Sequence, residues 1–141
     1  MDYNNQLILT GKISEIGEPL TSNIKSSYRM GLELTGGIQI TPWLEWNGNL
    51  TWSRNKIKSF TECIEVYDKD WNFLGEELRD LGTTDIAFSP QFIGNSIFHL
   101  IWKQFNAGLN TQFVSRQYID NTSSKESSIN PYCVSNLFIN I

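Results

Sequence analysis

Between Ser27 and Trp52 apolar and polar residues alternate for longer than a strand of a water-soluble domain requires. Tyr28, Met30, Leu32, Leu34, Ile38 and Ile40 share one parity, while Arg29, Glu33, Thr35 and Gln39 share the other. After Thr41-Pro42 the pattern resumes, with Leu44, Trp46, Leu50 and Trp52 set against Glu45, Asn47, Asn49, Thr51 and Ser53. Successive side chains of a strand point to opposite faces, so each run is a ribbon with one greasy and one wet side. Ordinary strands hold about 5–6 residues. A strand that crosses a bilayer needs about 9–11, apolar on the face toward lipid. These runs meet that length, which makes it the main clue to function.

At 141 residues the chain can build one domain with a core of its own. It is 40% apolar and 13% aromatic, which excludes a disordered chain, yet only 18% charged against about 25% in average domains. Asn, Gln, Ser and Thr fill the difference, a composition that suits a barrel lumen or loops. The net charge of −4, with eleven scattered bases, excludes nucleic acid as a partner. Only Arg54 to Lys58 approaches a basic patch, and a solvated strand end explains it. No apolar stretch approaches 18 residues, so no transmembrane helix is expected. Met1 is followed by Asp2-Tyr3-Asn4-Asn5 rather than a basic and then an apolar segment. The expectation is a fragment whose export signal lay upstream.

Turn signals divide the chain into six long strands. They are expected at Tyr3 to Thr10, Ser27 to Ile40, Trp43 to about Ser59, Gln91 to Trp102, Phe105 to Tyr118 and Tyr132 to Ile141. Connections at 11–26, 60–84 and 119–131 are long, and those at Thr41-Pro42 and Lys103-Gln104 are short. The segment 60–84 is acidic, with Glu62, Glu65, Asp68, Asp70, Glu76, Glu77 and Asp80 against Lys69 and Arg79. Short β pieces at Cys63 to Tyr67 and Asn72 to Leu74 could form a protruding hairpin there, and Glu76 to Leu81 could form one helical turn. Long and short connections in alternation point to an all-β, antiparallel up-and-down sheet. Tyr28, Trp43, Trp46, Trp52, Trp102, Phe105, Phe113 and Tyr118 cluster near the expected strand ends. Trp and Tyr settle there at a membrane–water boundary, although strands and cores favour aromatics in any protein.

Catalytic chemistry finds no foothold. One histidine, His99, lies within the apolar run Ile97 to Trp102 and reads as structural. Cys63 and Cys133 are seventy residues apart, with neither metal-ligand spacing nor a disulfide framework, so thiols are expected. Gly36-Gly37 lacks the lysine and helix start of a phosphate loop. Asp68 and Asp70 lack the glycine and terminal glutamate of a calcium loop. The sequons at Asn49 and Asn121 matter only in a eukaryotic secreted protein. The expectation is no enzyme, no metal and no cofactor.

Several segments resemble a known family. They are Asn5-Gln6-Leu7-Ile8-Leu9-Thr10-Gly11, Tyr28-Arg29-Met30-Gly31-Leu32-Glu33-Leu34, Asn47 to Ile57, Thr84-Asp85-Ile86-Ala87-Phe88-Ser89-Pro90 and Arg116 to Thr122. Together they resemble, in order, the C-terminal barrel of TonB-dependent outer-membrane receptors, most closely the SusC-like type of Bacteroidetes. The resemblance implies that residues 1–141 are a segment of a 22-stranded transmembrane barrel, without plug or signal. It implies localisation in the bacterial outer membrane and active uptake of a glycan, peptide, iron chelate or corrinoid. The implied partners are outer-membrane lipid, the remaining strands and plug, the TonB complex through an absent N-terminal part, and a surface lipoprotein. The short turns would face the periplasm and the long loops the exterior. Family chains usually end in an aromatic residue, whereas this one ends Leu137-Phe138-Ile139-Asn140-Ile141.

On this reading the wet parity lines the lumen, which makes Arg29, Glu33, Gln112 and Arg116 the candidates for contact with substrate. Two other classes compete. A soluble β-barrel binding a small hydrophobic ligand would turn the apolar parity inward. A secreted carbohydrate-binding module would need its tryptophans coplanar on one platform.

Overall fold

The computed structural model describes residues 1–13 and 16–141, with side chains at all of these except 9–13, 19 and 20. Its described residues are all β, in nine strands: β1 (Asp2–Ile13), β2 (Pro19–Thr41), β3 (Leu44–Tyr67), β4 (Phe73–Asp85), β5 (Phe92–Trp102), β6 (Phe105–Val114), β7 (Gln117–Tyr118), β8 (Ser128–Ile129) and β9 (Tyr132–Asn140). The main sheet runs β1-β2-β3-β5-β6-β9, with β4 also paired to β3. The pairings for which a register is defined are antiparallel. The hydrogen-bonded path of this sheet ends at β1 and at β9.

The strands are longer than the sequence suggested. The expected connection at 11–26 is strand over most of its length, since β1 reaches Ile13 and β2 begins at Pro19. Ser14 and Glu15, in the same expected connection, lie outside the described residues. The acidic segment 60–84 is the last third of β3 and all but the final residue of β4, folded back across residues 68–72, and it forms no helical turn at Glu76 to Leu81. Charged and apolar residues do not alternate regularly along them, so hydrophobic periodicity revealed only short pieces. Pairing, turn chemistry and the contacts of Tyr67 with Trp71 and Phe73 hold them. Asp68 Oδ1 accepts the amides of Asp70 and Asn72, each at 2.8 Å, and its Oδ2 accepts Asn72 Nδ2 at 2.9 Å. That closes the turn in the manner typical of aspartate. The fifth expected strand ends at Val114, four residues early.

Chain contacts divide the molecule into two units. The first comprises Met1–Arg29, Asn55–Ser89 and Tyr118–Ser128. Ile8, Ile24, Ile57, Phe60 and Ile86 form its core, with Leu81 packed beside them. Apolar parity shifts between Ile57 and Phe60 because Ser59, at φ +58°, makes a bulge that turns both side chains inward. Ile57 is 0% exposed. A polar loop is fastened to the end of β4. Asn121 Oδ1 accepts the Ala87 amide at 2.8 Å, Ser123 Oγ accepts the Asp85 amide at 2.7 Å, and Tyr118 O accepts the Phe88 amide at 2.8 Å. Lys56 Nζ lies 2.7 Å from Asp85 Oδ1, with both side chains mostly buried.

The second unit comprises Met30–Arg54, Pro90–Gln117 and Ile129–Ile141. In it the proximal part of β3, then β5, β6 and β9, pair without a register shift over nine or ten residues each.

Candidate functional site

The register of the second unit sorts its side chains into two faces. Leu44 stands opposite Leu100, Leu100 opposite Ala107, and Ala107 opposite Ile139. Two residues along, Trp46, Phe98, Leu109 and Leu137 make a second row. Leu50, Gly94, Phe113 and Cys133 make another. The alternate rows, pointing the other way, are Glu45–His99–Gly108–Phe138, Asn47–Ile97–Asn110–Asn136 and Asn49–Asn95–Gln112–Val134. One face is therefore mainly aliphatic and aromatic, and the other is mixed, with amides at half of these positions.

The apolar face is open rather than packed. Leu32 is 57% exposed, Leu109 40% and Leu137 68%; Leu50, Phe98 and Ile139 are exposed as well. The leucines do not converge on a closed interior. Water is a costly neighbour for so continuous a patch, at about 25 cal/mol for each Å².

A row of small residues, Gly48–Ser96–Thr111–Ser135, crosses the apolar face. Its hydroxyls are not left to solvent. Trp46 Nε1 donates to Ser96 Oγ at 2.9 Å, and Thr111 and Ser135 bond each other at 2.9 Å. The Trp46 ring lies over Gly48, where a Cβ would come within 2.8 Å of it.

The amide face carries a cross-strand network. Asn95 Nδ2 donates to Asn49 Oδ1 at 2.9 Å, Asn47 Nδ2 to Glu45 Oε1 at 2.6 Å, and His99 Nε2 lies 2.8 Å from Asn106 Oδ1. His99 is structural in this setting. Phe138 folds its ring directly over Gly108, with its centroid 6.0 Å from that of His99. An aromatic covering a cross-strand glycine fixes the register of the terminal strand.

The four residues singled out from the sequence are not brought together. Glu33 is exposed on β2 and Gln112 exposed on β6, three strand spacings apart, roughly 14 Å. Arg116 lies beyond the end of β6, where its Nη2 donates to Asn130 Oδ1 at 3.1 Å. Arg29 is exposed in the first unit, its backbone bonded to Met1. No charged cluster results.

Sequence reasoning missed a cavity of about 930 Å³ in the first unit, lined by Ile8, Ile24, Phe60, Glu62, Glu65 and Asp120 among others. Its floor is the core cluster and its walls carry carboxylates and hydroxyls. The interrupted parity at Ile57 to Phe60 was the available signal. Among the described residues no three His, Cys, Asp or Glu side chains gather into a metal site. Cys63 Sγ lies 3.1 Å from Glu76 Oε2, and Cys133 carries an exposed thiol.

No protein-family model, curated protein or solved structure matches the chain.

Proposed function

We propose that this chain is a stretch of the wall of a TonB-dependent outer-membrane receptor of the SusC-like type, part of a 22-stranded barrel that takes up a glycan, peptide, iron chelate or corrinoid. In this reading the apolar face meets outer-membrane lipid and the amide face lines the lumen. The wall is completed by the receptor's remaining strands and plug. The TonB complex and a surface lipoprotein are further partners. The chain performs no catalysis.

The observation that carries the reading is the exposed apolar face backed by an amide face, held in one continuous register. Its height agrees with a bilayer. From Phe92 to Trp102, β5 makes ten steps, about 34 Å at about 3.4 Å each. Tilted by about 40°, that is roughly 26 Å, against an apolar band of about 25 Å in such barrels.

The test places single cysteines at Leu32 and Glu33 in the chain folded into lipid vesicles. A lipid-soluble quencher should reach a label at 32, and a polar reagent should reach 33. The reverse pattern would overturn the proposal. One observation favours a second reading, a soluble barrel that binds a small apolar ligand: the cavity over Ile8, Ile24 and Phe60. That protein would remain a monodisperse monomer without detergent.

A further inference from the structure

At the short-turn end of the second unit, Trp43, Trp102, Lys103 and Phe105 gather on one rim. Trp43 O accepts the Ile101 amide at 2.8 Å, and Trp102 stands opposite Phe105. All four are exposed, Trp102 by 60%. Lys103 holds φ +56°, and its Nζ sits 5.5 Å from the centroid of the Trp102 ring. The left-handed region disfavours any residue with a Cβ, so glycine or asparagine would fit this turn at lower cost. A strained lysine kept over an exposed tryptophan has no role in packing. It has one at an interface, where indole rings occupy the boundary layer and an ammonium reaches the phosphates just beyond.

We infer that this rim is a binding site for the phosphate of an anionic phospholipid, with Lys103 as its cation and Trp102 and Phe105, which share the parity of the apolar face, seated at the level of the upper acyl chain. The inference rests on the membrane reading and adds the lipid chemistry. The apolar face runs directly into the rim through Leu44 and Leu100, so a lipid whose chains lie on that face brings its headgroup to Lys103. One lysine at a membrane surface alters affinity for acidic lipid by about fivefold.

The experiment uses the whole chain folded in phosphatidylcholine vesicles containing phosphatidylglycerol. Trp102 is kept as the sole tryptophan in one form of the protein, and its quenching by lipid brominated near the headgroup is recorded. Retention of phosphatidylglycerol is measured separately by native mass spectrometry. Trp102 should be quenched, and Lys103→Gln should lower phosphatidylglycerol retention about fivefold. Lys103→Arg should keep it, and Lys125→Gln, in the polar loop of the first unit, should leave it unchanged. Quenching with retention unaltered in Lys103→Gln would overturn the inference while leaving the membrane reading intact. Release of the lipid by millimolar inorganic phosphate would mark a free-anion site and also overturn it. Absence of quenching in any bilayer would remove the membrane reading, and the inference with it.

Discussion

Replacing Leu109 with arginine separates the membrane reading from its rivals by magnitude. Leu109 lies four residues beyond Phe105, where β6 begins. That is about 14 Å along the strand and roughly 10 Å in height after tilting, close to the middle of a band of about 25 Å. Arginine at the lipid midplane of such a sheet costs about 2–4 kcal/mol, or about 30- to 900-fold in the folding equilibrium. The same change at Gln112, on the amide face, should cost under about 1 kcal/mol. In water the expectation differs, because Leu109 is 40% exposed and exposed substitutions usually stay within about 0.5 kcal/mol. Urea titration of the chain folded into vesicles, read by the heat-modifiable gel shift, measures both variants. Equal costs at 109 and 112, or a neutral Leu109→Arg, would refute the assignment of faces.

Phe138→Ala should destabilise β9 pairing by about 1–2 kcal/mol, since the half-exposed ring covers Gly108. Gly108→Ala should be costly in the natural chain, where its Cβ would strike that ring, and tolerated beside Phe138→Ala; a double-mutant cycle checks the coupling. Asn121 is 3% exposed and accepts the Ala87 amide. Asn121→Ala should therefore cost about 1–3 kcal/mol in thermal unfolding, because a buried N–H loses its acceptor. The Asn72 side chain, followed by the Asn72 and Asp70 amides, holds the Asp68 carboxyl below its ordinary 3.8. A depressed carboxylate contributes stability above its unfolded value and loses it as pH falls through the folded one. The turn at 68–72 should thus persist at neutral pH and loosen only below about pH 4. The NMR midpoint of the Asp70 and Asn72 amides should lie under 3.8.

The second unit was legible in the sequence because its two faces meet different surroundings. Where every other side chain is apolar, period 2 survives, and the expected ends at Gln91 and Trp102 fall within one residue of β5. Of the distal hairpin only short pieces were legible, at Cys63 to Tyr67 and Asn72 to Leu74, and not the full length of its strands. Residues 61–67 and 73–85 of β3 and β4 carry Glu62, Glu65, Glu76, Glu77, Arg79 and Asp80, a composition that resembles loop. Its aromatic contacts gather at the tip, where Tyr67 meets Trp71 and Phe73, so they leave no long hydrophobic alternation along the strands. The bulge at Ser59 hid the first unit's core for a related reason. One inserted residue exchanges the inward and outward sets, so Ile57 and Phe60 seem to belong to opposite faces while both lie inside.

That contrast bears on function. A strand designed only to lengthen a sheet in water would gain from an amide or charge wherever a side chain meets solvent, as β4 does at Glu76, Glu77, Arg79 and Asp80. In the second unit β2 exposes Met30, Leu32, Leu34, Ile38 and Ile40 as fully as its polar residues. The same strand places Glu33, Thr35 and Gln39 between them, so polar residues are available and are confined to one side. Exposed apolar residues keep to one face of β2, whereas on β5 and β9 Ile97, Ile101, Val134 and Phe138 stand exposed on the amide face as well.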